Sequence, residues 1–269
     1  MKDQEPIKFV SLKNISTPLG VHFFFTTRHG GESKGVYGGL NLGLHVADDP
    51  LRVQNNRQAL LKALSPSVQD LVFINQVHGT TTLIAPLEKT LQQPADADAL
   101  VTGEKNIAIG VMTADCVPVL FADVENQVVG AAHAGWRGAA AGILESCIGK
   151  MQELGAEPEK IFAVIGPAIH QPNYAVGSSF RDSFLDHGEN KNRLGCQKFF
   201  SSSPDKSIVA FDLPGYVRDR LLWNRIPSEK IVDVGLCTYH FDNQFFSHRR
   251  TTSNGGNLCG RQMGGIYLC

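Results

Sequence analysis

Three side chains able to hold a metal ion stand near the ends of short apolar runs in this sequence. His78 and Cys116 come soon after runs of apolar and β-branched residues, and His133 closes a third such run. Runs of this kind are typical of β-strands, and side chains at strand ends are held rigidly yet stay open to solvent. Two imidazoles and one thiolate suit zinc, and three protein ligands leave a fourth position for water or substrate. The pattern therefore predicts a catalytic zinc site.

The same three residues allow two other interpretations. The sequence has no close pair such as H-E-x-x-H or C-x-x-C that would force the ligands together. Cys116 and either histidine could instead form a metal-free pair of nucleophile and base. The remaining interpretation is a buried cysteine with two hydrogen-bonded histidines and no role in chemistry.

Two segments have features of anion-binding sites. Glycines follow His133 where the third run turns into a helical pattern, and backbone N–H groups at such a turn are free to hold an anion. The spacing matches neither a dinucleotide fingerprint nor a P-loop. A second glycine-rich segment over 28–43 is predicted to be a long ordered loop, whose polar side chains can grip phosphate or sugar hydroxyls or simply order the loop. The candidates for binding substrate or phosphate are Arg28, Ser33, Asn41 and Arg137.

Two carboxylates are candidates for moving protons or for supporting the metal ligands. Asp115 directly precedes Cys116, and Asp98 lies in the segment Ala-Asp-Ala-Asp-Ala with Asp96. Alternate residues of an extended segment point to opposite faces, so the two aspartates of that segment need not act as a pair. We expect Asp96 to lie in a surface turn, and we keep Asp98 and Asp115 as site candidates.

Strand-like runs alternate irregularly with helical patterns along the chain. Helices are predicted over 50–64, over 138–154, and after Asp212, which is placed to cap a helix with Pro214 in its first turn. Strands that are partly adjacent in sequence and partly separated by helices indicate an α/β protein with mixed sheets. We find no repeat and no linker-like segment, so we predict one domain over residues 1–269.

The overall charge and composition exclude several classes of partner. The chain has 25 basic and 26 acidic side chains, a formal net charge of -1, and no basic tract that would bind nucleic acid. No segment approaches the ~18 apolar residues of a membrane span, and residues 1–8 contain no apolar signal region. The six cysteines are scattered, which favours free thiols. We expect a cytoplasmic monomer or weak homo-oligomer that acts on a small molecule.

Six blocks of the sequence, taken in order, resemble the signature segments of the bacterial YfiH/YlmD proteins. This family has also been labelled polyphenol oxidase or laccase domain. The resemblance extends from about Arg28 to Arg249 and Arg250. The blocks are Thr27-Arg28-His29-Gly30-Gly31, Leu40-Asn41-Leu42-Gly43, Asn75-Gln76-Val77-His78-Gly79, Asp96-Ala97-Asp98-Ala99, Thr113-Ala114-Asp115-Cys116-Val117-Pro118-Val119 and Ala132-His133-Ala134-Gly135-Trp136-Arg137-Gly138.

The resemblance implies a fold, a metal and an activity. The fold would be a four-layer α/β sandwich of mixed sheets flanked by helices, similar to the catalytic domain of cytotoxic necrotizing factor. Zinc would be held by His78, Cys116 and His133. The activity would be phosphorolysis of adenosine, inosine, guanosine and methylthioadenosine, with deamination of adenosine. For these activities we ourselves expect Arg28, Arg137 and the glycine-bordered N–H groups to bind phosphate, and Asp98 or Asp115 to carry the proton in deamination.

Three other functions stay open on the same residues. One is a zinc amidohydrolase that edits peptidoglycan precursors. Copper-dependent polyphenol oxidation fits less well, because it needs several copper centres and many histidines, whereas this chain has nine histidines and no H-x-H pair. The third is a non-catalytic binding module that uses the metal for stability alone.

Overall fold

The computed structural model describes residues 5–13, 15–87, 94–187, 190, 195–202 and 208–269, so residues 1–4 of the polar N-terminal segment lie outside it. The strands are β1 (Val21–Phe25), β2 (Asp70–Val72), β3 (Thr82–Ile84), β4 (Ala99–Thr102), β5 (Ile107–Thr113), β6 (Val117–Asp123), β7 (Val128–Ala134), β8 (Phe162–Ile165), β9 (Ala175–Gly177), β10 (Phe200–Ser202), β11 (Ile208–Phe211), β12 (Ile231–Asp233) and β13 (Gln262–Leu268). The helices are α1 (Pro50–Ala63), α2 (Trp136–Ala141), α3 (Ile143–Glu153), α4 (Ser178–Leu185), α5 (Leu213–Trp223) and α6 (His248–Ser253). No helix of these ranges is long and apolar enough to cross a bilayer.

Two mixed sheets form the centre of the molecule. The four-stranded sheet has the order β1-β13-β5-β2, and the six-stranded sheet has the order β12-β8-β6-β7-β4-β3. Most neighbours are antiparallel, whereas β2 runs parallel to β5, β3 to β4 and β12 to β8. A small antiparallel sheet of β10, β11 and β9 lies beside them.

Alternating side chains on the strands build three apolar layers. Ile109 of β5 and Leu120 of β6 belong to the core between the two large sheets. Phe121, the next residue of β6, packs instead with side chains of α3 and α5. Met112 of β5 packs with Leu60 of α1 on the outer face of the four-stranded sheet. Because strand residues alternate between faces, the order is helix, sheet, sheet, helix. The predicted four-layer α/β sandwich is confirmed, and its likeness to cytotoxic necrotizing factor stays a prediction.

The predicted helix over 138–154 is wrong as a single element. It consists of α2 and α3, which meet at Gly142. Gly142 has a φ of 105°, a left-handed conformation that glycine adopts readily and that ends a helix. Helical periodicity predicts that these residues are helical, but it does not show where a glycine turns the chain.

The C-terminal strand β13 is not apparent in the sequence, because glycines interrupt its apolar pattern. It nevertheless pairs with both β1 and β5 in the four-stranded sheet. A Cβ atom on Gly265 would lie 2.2 Å from Cζ of Phe24. Glycine is needed here because an aromatic ring of the neighbouring strand lies over the backbone.

Candidate metal centre

The three predicted metal ligands come together in the structure. The nearest ligand atoms of His78, Cys116 and His133 all lie within 4.8 Å of one another, and the two imidazole ring centroids are 4.8 Å apart. His133 is buried, Cys116 is half-buried and His78 is exposed, so the cluster is open on one side. This geometry fits a tetrahedral ion with three protein ligands and one accessible position.

Two antiparallel strands bring Cys116 beside His133. Cys116 ends the short turn between β5 and β6, and Val117, the first residue of β6, pairs with Ala134 of β7. His133 lies within β7, rather than just past a strand end as the sequence suggested. The pairing places the thiol and the imidazole at the same end of the six-stranded sheet.

The carboxylate of Asp98 positions both histidines. Its Oδ1 lies 2.8 Å from Nδ1 of His133 and accepts the backbone N–H of His78 at 3.0 Å. Its Oδ2 accepts the backbone N–H groups of Gly79 at 2.6 Å and of Val77 at 3.2 Å. A carboxylate that binds one nitrogen of a histidine leaves the other nitrogen free for a metal. Asp98 is fully buried, so these bonds hold the loop of His78 rigidly against β7.

The pKa values of the site are set by this network. Burial alone would raise the pKa of Asp98, but the hydrogen bonds from His133 and the two amides lower it below its ordinary value. Desolvation and the neighbouring His133 lower the pKa of His78 to about 4, so its imidazole is neutral at neutral pH. Burial opposes a charge on His133, but Cys116 and Asp98 raise its pKa to about 9. A neutral imidazole at His78 is ready to bind a metal ion.

Gly135 leaves the space in which the ligands meet. A Cβ atom at this position would lie 2.7 Å from Nδ1 of His78 and 3.1 Å from Sγ of Cys116. Both distances are shorter than ordinary contacts of carbon with nitrogen or sulfur. Gly135 is therefore part of the cradle of the cluster, although it contributes no ligand atom.

Replacing Gly135 by alanine is expected to lower zinc affinity by about tenfold or more, because the added methyl group displaces His78 or Cys116. Changes in groups that orient metal ligands usually have effects of this size. Zinc competition titration measures the effect. Gly149→Ala in α3 is the matched control, since nothing lies within 4 Å of its added Cβ. The control should bind zinc normally and be stabilised by about 0.5–1 kcal/mol through helix propensity. Equal zinc affinity in both variants would show that a methyl group at position 135 does not displace the ligands.

A cavity of about 260 Å³ opens beside the cluster. Besides the three ligands it is lined by residues that were not predicted as site residues, namely His45, Gln76, Met112, Thr113, Ala114, His248 and Arg261. Gln76 lies two residues before His78, and its side-chain amide exchanges hydrogen bonds of 2.8 and 2.7 Å with the backbone of Met112. Two signals were available for Gln76 in the sequence: its proximity to a predicted ligand and its place in one of the blocks that resemble the YfiH/YlmD signature.

Asp115 links the cluster to the C-terminal part of the chain. Its carboxylate accepts the hydroxyl of Thr238 at 2.7 Å and the backbone N–H of Arg249 at 2.6 Å. Asp115 has a φ of 91°, so the turn before Cys116 is held in a left-handed conformation. These bonds bring the start of α6, and with it His248, to the cavity.

None of the four predicted phosphate-binding side chains lines the cavity. Ser33 and Asn41 donate hydrogen bonds to the same oxygen of Asp48, at 2.6 and 2.8 Å, within the glycine-rich loop. Oδ1 of Asn41 also accepts the backbone N–H groups of Gly43 and Arg261. Their described contacts order the loop, and neither residue lines the cavity.

The two predicted arginines lie outside the cavity lining. Arg28 donates to the carbonyl groups of Asp242 and Gly38, and its guanidinium lies 4.6 Å from the ring centre of Phe246. Arg137 is exposed, with its guanidinium 4.8 Å from the ring centre of Trp136. The structure therefore joins the metal ligands with Asp98 but leaves the predicted anion-binding side chains dispersed.

The fold and the site together define an α/β protein with an open-sided cluster of two histidines and one cysteine. The family model described as "Multi-copper polyphenol oxidoreductase laccase" matches residues 22–269. The structure is similar to that of protein NMB0706 from Neisseria meningitidis, with a TM-score of 0.83 and 32% identity over 97% of this chain and 98% of that one. YfiH from Bacillus licheniformis gives the same TM-score and identity over 100% and 98%. The chain belongs to the laccase-domain family that contains the YfiH and YlmD proteins.

Curated relatives in this family have names that state an activity. YfiH from Escherichia coli, named a purine nucleoside phosphorylase, is 36% identical over 88% of this chain and 92% of its own length. A protein from Bacteroides thetaiotaomicron with the same name is 32% identical over 99% and 97%. Both relatives therefore match most of this chain and most of their own length.

Proposed function

We propose that this chain is a zinc-dependent purine nucleoside phosphorylase. Its substrates would be inorganic phosphate and adenosine, inosine, guanosine or methylthioadenosine, and it would act in the cytoplasm as a monomer or weak homo-oligomer. The observation that carries the proposal is the convergence of His78, Cys116 and His133 at one side of a cavity. The names of the relatives supply the reaction class.

The donor set fits zinc better than the several coppers of a multicopper oxidase. Two imidazoles and one thiolate, with room for a fourth ligand, match catalytic zinc sites. Only one group of three or more such ligands occurs among the described residues. Multicopper chemistry needs several centres, so the proposal departs from the copper chemistry that the family title names.

Phosphorolysis requires the protein to bring phosphate to the ribose and to stabilise the departing purine. A phosphate oxygen must approach C1′ of the ribose as the bond from C1′ to the purine nitrogen breaks, and the departing purine must take the electron pair and then a proton. Zinc, when bound, would act as a Lewis acid and stabilise negative charge that develops in the transition state. Asp98 holds His78 and His133 in place through hydrogen bonds. The two histidines therefore need little rearrangement during the reaction.

Deamination of adenosine is the second activity that we propose. It needs a carboxylate to carry a proton, and Asp98 and Asp115 are the candidates. Asp98 already accepts bonds from His133 and three amides, while Asp115 accepts bonds from Thr238 and Arg249. Because both carboxylates are occupied, deamination is expected to be the slower activity.

Incubating the protein with inosine and phosphate is expected to yield hypoxanthine and ribose 1-phosphate. Removal of metal by a chelator should reduce turnover by at least about a hundredfold, because Lewis-acid stabilisation is worth several kcal/mol, and added zinc should restore it. Chromatography of the products measures both effects. A fully zinc-loaded protein that turns over no nucleoside would contradict the proposal and leave amide hydrolysis or a binding module as the function.

A further inference from the structure

A basic part of the cavity wall, consisting of His45, His248 and Arg261, lies beside the metal cluster. No acidic side chain lines this cavity among the residues that the structure describes. His45 lies two residues after the glycine-rich segment 28–43, His248 begins α6, and Arg261 directly precedes β13. A concave wall of hydrogen-bond donors that includes the permanent charge of Arg261 attracts anions from solution.

Arg261 has donor groups to spare. Its Nη1 donates to the carbonyl groups of Cys259 and Gly260, at 2.7 and 3.0 Å. Its backbone N–H donates to Oδ1 of Asn41, which fixes the base of the side chain. No described group accepts from its Nε or Nη2, and no described carboxylate forms an ion pair with it. A guanidinium that is oriented and only partly satisfied is suited to bidentate binding of an oxyanion.

Gly43 allows His45 to lie next to Arg261. A Cβ atom on Gly43 would lie 2.9 Å from Cγ of Arg261 and 3.4 Å from Cε1 of His45. The aliphatic part of the Arg261 side chain therefore packs against Gly43, beside the imidazole of His45. Tight packing at this point keeps the two donors on one wall instead of letting them rotate into solvent.

Arg57 adds positive charge behind the wall. It is half-buried, with its guanidinium 3.8 Å from the ring centre of Phe73 and its Nη2 3.8 Å from Sδ of the cavity residue Met112. Its Nε donates to the carbonyl of Leu42 at 2.9 Å, and no described carboxylate faces it. Burial without an ion pair is costly for an arginine, and an anion bound nearby would offset that cost.

We propose that His45, His248 and Arg261, with Arg57 behind them, form the subsite for the inorganic phosphate dianion. That this anion is the co-substrate depends on the function proposed above. The subsite replaces Arg28, Ser33, Asn41 and Arg137 as the place where phosphate is held. It lies in the same cavity as the metal ligands, so a bound phosphate and the ribose of a nucleoside can meet there.

Phosphate binding to the zinc-loaded protein tests the subsite directly. Inorganic phosphate is titrated without nucleoside and again with hypoxanthine, by calorimetry or phosphorus NMR. Arg261→Ala is expected to raise the Kd for phosphate at least about tenfold, as loss of a charge-assisted bidentate contact does. The Kd of Arg261→Lys for phosphate should lie between those of the unaltered protein and Arg261→Ala. Lysine keeps the positive charge but lacks the paired N–H donors of the guanidinium. In steady-state assays the KM for phosphate should rise while the KM for inosine stays within about twofold.

The matched control is Arg181→Ala on α4, a partly exposed arginine that pairs with Asp182 and does not line the cavity. It should bind phosphate as the unaltered protein does. His248→Asn, on an exposed side chain, is the second test variant in case Arg261→Ala fails to fold. It should raise the Kd for phosphate severalfold.

The possible outcomes separate the subsite from the function. If phosphorolysis is present but Arg261→Ala and His248→Asn bind phosphate normally, the subsite is wrong and the function stands. If Arg28→Ala or Arg137→Ala alone weakens phosphate binding, the anion lies at the predicted arginines instead. If phosphate binds and Arg261→Ala abolishes binding, but no nucleoside is cleaved, the anion subsite stands and the phosphorylase function fails. Absence of phosphate binding under both conditions overturns the subsite.

Discussion

Replacing Cys116 by alanine is expected to abolish stoichiometric zinc binding and to lower kcat/KM for nucleoside phosphorolysis by about a thousandfold. The thiolate is one of three ligands, and two histidines alone leave the ion weakly held. Loss of several kcal/mol of Lewis-acid stabilisation corresponds to a rate loss of this size. Elemental analysis measures the metal, and an inosine assay measures the rate. The fold should persist, because Cys116 is only half-buried at the cavity wall.

Cys269→Ala is the control for this variant. Cys269 is an exposed free thiol that follows β13 and does not line the cavity. The control should retain zinc and full activity. Adenosine deamination is measured in parallel: an activity that survives Cys116→Ala does not use the metal. Unchanged zinc content and unchanged phosphorolysis in Cys116→Ala would show that the cluster is not the centre of the reaction.

Replacing Asp98 by asparagine is expected to weaken zinc binding by about 10- to 100-fold, the usual effect of losing a carboxylate behind a metal-binding histidine. An amide has one acceptor oxygen and a donor NH₂ group. It cannot accept from His133 and also from the amides of His78 and Gly79, as the carboxylate does. One side of the network must therefore break. Zinc competition titration gives the affinity, and activity at saturating zinc shows whether the remaining geometry is productive.

Asp98→Ala should have the larger effect on stability. It leaves His133 and the backbone N–H groups of residues 77–79 without their acceptor in a fully buried place. Breaking a buried charged pair costs about 3–5 kcal/mol, which is a large part of the stability of an ordinary domain. Denaturant unfolding of the zinc-free protein measures it.

Asp96→Asn is the control for both Asp98 variants. Asp96 belongs to the same short segment but is exposed, and it accepts one hydrogen bond from Asn75 at 2.6 Å. Its replacement should change stability and zinc affinity little, as exposed substitutions usually do. If Asp96→Asn and Asp98→Asn bind zinc equally well, the carboxylate of Asp98 does not control the ligand histidines.

The sequence by itself determined many of the elements and the candidate ligands. Apolar runs marked β1, β5, β6 and β7, because a buried strand needs apolar side chains wherever it lies. Asp212 marked the start of α5, where its side chain accepts the backbone N–H of Gly215 at 3.0 Å. Capping is local, so it can be read from a few residues. His78, Cys116 and His133 were named as candidate metal ligands from their places near strand ends and from the resemblance to the YfiH/YlmD proteins, while the residues alone left a metal-free pair and a structural role open.

The tertiary structure alone decided how the cavity is completed. His45, His248 and Arg261 have no shared motif, and they meet because Asp115 binds Arg249 across 134 positions and Asn41 binds Arg261 across 220. It also decided that Asp98 serves the histidines while Ser33 and Asn41 order a loop. The reason is physical: spacing along the chain determines helices, turns and faces, whereas the partner of a buried polar group depends on which distant segments pack around it.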